Sequence, residues 1–330
     1  MITDEKILVT GASGTVARPL ACSLARDNEV WGAARFVDAA ARRREAFSEQ
    51  TEPERRGLST REALEEAGVH TVAVDLGSGG LGDLPDDFTV VLHLAWMRGG
   101  LAQLDAALRT NVEGAGMVLH HCRKARAALV MSGMGVYSPH DDPWHAYSEG
   151  DPVGRAATPF APTSPACKLG LESVARFCAR AYELPVTITR LNTFMGPPQS
   201  FPGMHIAAVL SGDEVVVPND PSPHNPIHVD DMQWQLEPLL EAASSTALVT
   251  NWCGDEVTTA QAWARDAAAW SGRDVRVRTQ PVPCSPAGNV ADPARRASIT
   301  GPCRTRFAEA FRTLYDAMAG PERAGEGTGR

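Results

Sequence analysis

The residues of this chain whose types and spacing could do chemistry fall in three places. Ser164-Pro165-Ala166-Cys167-Lys168 puts a hydroxyl and an amine four positions apart, which on a helix means one turn and one face. Thr10-Gly11-Ala12-Ser13-Gly14-Thr15-Val16-Ala17 spaces its glycines so that the backbone can turn tightly and approach a pyrophosphate at a helix N-terminus. Between them, Tyr137, His140, Asp141, Asp142, His145, Tyr147 and Glu149 crowd titratable groups into one short segment. A loop of that kind can supply an acid or a base.

Other reactive types carry less. Cys167 has no assignable base and reads as a buried thiol. His120 and His121 lack a carboxylate or third ligand, so no metal site is expected. The seven cysteines, at 22, 122, 167, 178, 253, 284 and 303, contain no Cys-x-x-Cys pair; odd in number, they suit thiols in a reducing cytoplasm.

Positioning these groups falls to an α/β chain. Residues 6–10 are an apolar run before the glycine turn, and 16–25 have a helical pattern. Further strands are expected at 29–34, 70–75, 90–94, 128–132 and 186–190, alternating with helices that include 101–124 and 168–182. Such alternation predicts a doubly wound parallel sheet, Rossmann-like, with both faces covered. It gives a dinucleotide-binding domain over residues 1–190. Shorter segments rich in proline (197, 198, 202, 218, 221, 223, 226) follow, consistent with a smaller substrate-binding lobe over 191–320; residues 321–330 read as a flexible tail. The charged stretch between Phe36 and Gly68 reads as helical, with a surface insertion near 48–62.

The composition, 43% hydrophobic and 22% charged over 330 residues, is that of a folded globular protein. A net charge of -9 argues against nucleic acid as a partner. There is no apolar signal-peptide core at the N-terminus and no run of 18 apolar residues, so no membrane partner and a cytoplasmic location are expected. Aligning 29–35 to the second strand puts Ala34 where an acidic residue would hold a ribose 2′-hydroxyl, with Arg35 beside it. An arginine there suits a 2′-phosphate, so NADP(H) is expected over NAD(H).

With these motifs in order, the chain resembles the extended short-chain dehydrogenase/reductase family, the group of NAD-dependent epimerases and dehydratases, from Lys6 to about Ala319. Asp75-Leu76 is similar to the element that contacts adenine, and His93-Leu94-Ala95-Trp96 to the segment ending the fourth strand beside the cofactor. Asn111-Val112-Glu113-Gly114 matches the helix asparagine, and Ser132-Gly133-Met134-Gly135-Val136-Tyr137 the strand that delivers a catalytic hydroxyl. Arg190-Leu191-Asn192-Thr193-Phe194-Met195-Gly196-Pro197 resembles an element beside nicotinamide and substrate; Pro226-Ile227-His228-Val229-Asp230-Asp231-Met232 resembles a late histidine-valine-aspartate signature. The resemblance implies cofactor contacts from Gly11, Ser13, Gly14, Thr15, Val16, Arg35, Asp75, Leu76, Leu94, Ala95, Asn111 and Lys168. It implies substrate contacts from Trp96, Met134, Asn192, Phe194 and His228, and a homodimer.

It also implies a Tyr-x-x-x-Lys pair, in which the lysine lowers a phenol pKa of about 10 and the phenol moves the proton. Here the residue four before Lys168 is Ser164, and Pro165 suits a first helical turn with Ser164 as its N-cap. The hydroxyl-bearing strand position is Gly133, with Ser132 one place early and on the opposite side of the strand. An aliphatic hydroxyl cannot inherit a proton transfer worth about 10²- to 10⁴-fold in rate. Three functions fit. The first is an NADP-binding enzyme performing redox, epimerisation or dehydration on a small polar carbonyl or alcohol. Its acid/base is non-standard, with the proton from a tyrosine or histidine within 137–149, and Lys168, Ser164, Tyr137 and Ser132 are its catalytic candidates. The second is a non-redox isomerase, cyclase or lyase reusing the pocket. The third is a non-catalytic dinucleotide sensor, its cofactor site vestigial as chemistry.

Overall fold

The computed structural model describes residues 2–36, 59–156, 162–281 and 284–320. The apolar runs become strands β1 (Lys6–Thr10), β2 (Glu29–Ala34), β3 (His70–Ala73), β4 (Val90–His93), β5 (Ala127–Gly133), β6 (Val186–Leu191) and β7 (Leu248–Trp252). They make one seven-stranded sheet in the order β7-β6-β5-β4-β1-β2-β3. From β3 through β5 neighbouring strands pair in parallel. Every residue of β4 is buried, as is nearly all of β1 and β5, which is why they read as unbroken apolar runs. Strand order reverses between β1 and β4, the place where an open α/β sheet leaves a crevice beyond its strand ends.

The helices are α1 (Ala17–Leu24), α2 (Thr60–Glu66), α3 (Leu104–Leu108), α4 (Gly114–His121), α5 (Ser164–Ala181), α6 (Phe201–Ser211), α7 (Val229–Glu241), α8 (Ala260–Ser271), α9 (Ala294–Thr300) and α10 (Phe307–Ala319). No helix among the described residues is long and apolar enough to cross a membrane. The chain forms two compact units. The first comprises residues 1–136, 158–189 and 236–250. Its core joins Leu8, Val91, Val130 and Ile188 of the sheet to Val118 of α4 and Leu171 of α5. The second comprises 137–157, 190–235 and 251–330, with α6, α8 and α10 packed around Trp263 and Phe311.

Three expectations need correction. The single helix over 101–124 is broken into a 3-10 turn at Leu101–Gln103, α3, a wide π turn at Arg109–Glu113, and α4. Ser164 is not the N-cap of α5. Thr163 occupies that position, in helical geometry, and sends its Oγ1 to Gly99 O at 3.0 Å, so the helix starts one residue before Pro165. The part beyond 190, read as shorter and less regular segments, supplies β7, whose burial hides the alternation that marks a half-exposed strand. The insertion near 48–62 lies mostly outside the described residues, and the tail at 321–330 wholly so.

Candidate functional site

In the first unit the glycine turn is built against the end of β4. Gly11 has φ +70°, and a Cβ there would stand 2.6 Å from Ala95 Cα; only glycine permits this approach. Gly11 N donates to Ala33 O at 2.7 Å, and Gly14 N closes the turn onto Gly11 O at 2.7 Å. Among the described residues the N–H groups of Ser13, Thr15 and Val16 find no backbone partner, and all three residues are partly exposed ahead of α1. Unpartnered N–H groups at a helix N-terminus fit a pyrophosphate. The residues present therefore suit a dinucleotide.

Thr10 ties this turn to the next strand. Its Oγ1 accepts from Leu94 N and Ala95 N, both at 3.2 Å, and lies 3.0 Å from His93 Nδ1. A hydroxyl has two lone pairs and one hydrogen, so the hydrogen goes to Nδ1 and the His93 proton sits on Nε2. Burial, with Lys168 adding to it, pushes the His93 imidazole down to about 3, leaving it neutral. Its Nε2 has no partner among the described residues.

Asn111, on the π turn, is buried and holds the loop after β4 by both backbone atoms of one residue. Its Oδ1 accepts from Met97 N at 2.7 Å and its Nδ2 donates to Met97 O at 2.9 Å. That loop carries Trp96, whose ring lies over Lys168 Nζ, 3.7 Å from centroid to nitrogen. Lys168 is 8% exposed and donates to Met131 O at 2.7 Å. Burial pushes its ammonium down to about 7, against the opposing influence of Glu172 and, after it, Cys167. Glu172, one turn further along α5, is buried and accepts from Ser132 Oγ at 2.7 Å. Sequence reasoning missed Glu172 and the neutral His93; the four-residue spacing from Lys168 to Glu172 was the available signal.

The remaining candidates separate by unit. Leu76 is buried and Asp75 exposed, its Oδ1 accepting from Gly77 N at 3.0 Å. Arg35 is exposed just past β2. Met134 is buried in a 3-10 turn after β5, and Ser164 is half-buried at the start of α5. All of these belong to the first unit, with Lys168, Trp96 and Ser132.

Tyr137, Asn192, Phe194 and His228 belong to the second. Tyr137 is fully buried; its hydroxyl donates to Asn251 Oδ1 at 2.6 Å, its ring stacks on Tyr147 and the Arg190 guanidinium covers it. The Tyr147 hydroxyl accepts from His140 N at 2.9 Å, and burial pushes that phenol up. Asn192 donates to Asn289 O at 2.8 Å and accepts from Thr193 N. Phe194 is buried in a short strand beside Ile227, and His228 Nδ1 accepts from Asp230 N at 3.2 Å where α7 begins. Among the described residues no group of three His, Cys, Asp or Glu side chains is placed to hold a metal ion.

Several solved structures share this fold. UDP-glucuronic acid 4-epimerase from Bacillus cereus, in complex with UDP-glucuronic acid and NAD, aligns with a TM-score of 0.75 at 20% identity, covering 94% of this chain and 98% of that one. MoeE5, in complex with UDP-glucose and NAD, gives 0.73 at 23% identity over 94% and 97%. dTDP-glucose 4,6-dehydratase from Bacillus anthracis str. Ames, in complex with NAD, gives 0.73 at 14% identity over 95% and 96%. A search of curated proteins finds no match. Residues 7–233 match the model of a family of enzymes that covers the glycine turn, the Lys168 helix and the start of α7 alike, and by that match the chain belongs to the NAD dependent epimerase/dehydratase family.

Proposed function

We propose that the chain is a nicotinamide-dinucleotide-dependent enzyme of epimerase/dehydratase type that acts on a small polar carbonyl or alcohol with a non-standard acid/base. The observation that carries this reading is the turn at Gly11, pressed on Ala95 at the sheet's switch point with the N–H groups of Ser13, Thr15 and Val16 lacking a backbone partner among the described residues. When bound, the nicotinamide would supply the hydride acceptor or donor. Gly11, Ser13, Gly14, Thr15 and Val16 would hold its pyrophosphate, Asp75 and Leu76 its adenine, and Leu94, Ala95, Asn111 and Lys168 the strand-end side. NADP(H) is favoured over NAD(H). Ala33 O receives Gly11 N, so the end of β2 runs beside the turn, and it offers Ala34 and the exposed Arg35 where a carboxylate would select the ribose hydroxyl. The relatives' NAD is the competing outcome.

Trp96, Met134, Asn192, Phe194 and His228 are the substrate contacts that this reading carries over from the resemblance, with 191–320 the substrate lobe. A homodimer in a reducing cytoplasm completes the reading; all seven cysteines are free thiols. A second reading, a non-redox isomerase, cyclase or lyase, is favoured by one feature: the residues at 164 and 133 are serine and glycine, so the first lacks the phenol and the second the hydroxyl that the resemblance implies. Fluorescence titration with NADPH, NADP+, NADH and NAD+ tests the proposal. Binding with NADPH tighter than NADH is expected, and Lys168→Ala should weaken it. Absence of binding of all four at millimolar concentration would end the dinucleotide reading. Following the nucleotide's oxidation state during turnover separates the redox from the non-redox reading.

A further inference from the structure

A lysine ammonium carries three N–H donors. Lys168 Nζ, almost wholly buried, has one hydrogen-bond acceptor among the described residues, Met131 O at 2.7 Å, and makes no ion pair there. The Trp96 ring closes over it at 3.7 Å. An ammonium would thus leave donors unmet, whereas a neutral amine would leave one hydrogen and a lone pair. The groups facing it do not hold it charged outright. His93, at the end of β4, is neutral; Arg98 repels a cation from the loop that follows; Glu172 and Cys167, on α5 itself, favour one. Burial outweighs them and brings the amine to about 7. The hydroxyls nearby do not offer a better base. Ser132 is committed to Glu172, position 133 is glycine, and Ser164 is an aliphatic alcohol one turn before the lysine.

The choice of residue points the same way. Of the 31 lysines and arginines in the chain, lysine stands at 6, 124 and 168 alone. Lys6 is paired with Asp87 at 2.7 Å and Lys124 is exposed. A permanent cation at 168 could have been an arginine, which does not titrate in this range.

We propose that the Lys168 amine is itself the group that takes the proton from a substrate hydroxyl and gives it back. In the forward step the substrate O–H bond breaks, the proton bonds to the Nζ lone pair to give an ammonium, and the O–H electron pair stays on the substrate oxygen. The reverse step restores both. The new charge forms against the π face of Trp96 and the Met131 carbonyl, both of which stabilise a cation. The inference rests on the proposed reading only for the hydroxyl-bearing substrate; the state of the amine stands apart from it.

With three lysines in the chain, 13Cε-lysine labelling gives three side-chain resonances, and loss of one in Lys168→Arg assigns it. The expected result is that Lys168 titrates near 7, with the Lys6 ammonium held up by its hydrogen bond to Asp87. In Glu172→Gln the Lys168 midpoint should fall further, because a charge that favours the ammonium is gone. A Lys168 midpoint above about 9.5 would overturn the proposal, as would one that rises in Glu172→Gln. Failure of every dinucleotide to bind would leave this titration unchanged, so the two readings fail separately.

Discussion

At the scale of single residues, the decisive features are places where one side chain leaves its neighbours no alternative. Gly11 is the clearest. With φ +70° and Ala95 Cα 2.6 Å from where a Cβ would sit, alanine there meets two obstacles, left-handed backbone strain and a clash with backbone that cannot swing aside. Gly11→Ala should cost about 2 kcal/mol or more of stability and open the turn. The expected outcome is a lower urea midpoint and dinucleotide affinity reduced at least tenfold, checked by denaturation and fluorescence titration of one preparation. Wild-type values in both would show that the turn does not depend on that contact. Thr10 acts similarly with a single hydroxyl, since receiving Leu94 N and Ala95 N while donating to His93 Nδ1 fixes both the strand-end loop and the imidazole tautomer.

At the scale of elements, the π turn at Arg109–Glu113 explains how a helix can reach across to a loop. The wider turn carries Asn111, whose amide grips Met97 N and O together. Wide turns of this kind recur at functional sites. In Asn111→Ala the Met97 N–H and C=O lose their partners, a loss of about 1–3 kcal/mol per unsatisfied buried group. The loop bearing Trp96 should loosen, with amide exchange rising selectively over residues 94–99; exchange unchanged in that loop would mean that other contacts hold it. These elements also mark how far the sequence could be read. Strands β1, β2 and β4 were legible because buried parallel strands are short apolar runs between turn residues, and the glycine turn because its spacing has one geometric use. The π turn was not, since its side chains continue an ordinary helical pattern and only the backbone widens. Lys168 and Glu172 were a readable pair by spacing, but the ring of Trp96 over Lys168 joins residues far apart in the chain, and no local period encodes it.

At the scale of the whole molecule, each unit has folded histidine into its interior in the neutral form. His93 in the first unit is pushed down to about 3, with burial the larger cause. In the second, burial brings His205 to about 4 and, with His205 adding to it, His224 to about 3. Their hydrogen bonds agree with neutrality: Trp263 Nε1 donates to His205 Nδ1 at 2.7 Å, and Asn289 Nδ2 approaches His224 Nδ1 at 3.2 Å, so each Nδ1 is an acceptor. An unfolded histidine takes up a proton near 6.5, well above these folded values. Below that pH the unfolded chain binds more protons than the folded one, so stability is complete above about 6.5 and falls as the pH drops toward 4. Each such histidine contributes a slope of up to about 1.4 kcal/mol per pH unit, so the histidine contribution of the second unit, with two, is about twice that of the first. Urea unfolding between pH 7 and 4.5, followed by tryptophan fluorescence, should show a steadily falling midpoint. His224→Gln, which cannot titrate, should flatten the fall at the cost of some stability at pH 7. A midpoint that is level or rises from pH 7 to 5 would mean that these imidazoles are charged in the fold, contrary to the hydrogen bonds that Trp263 and Asn289 make to them.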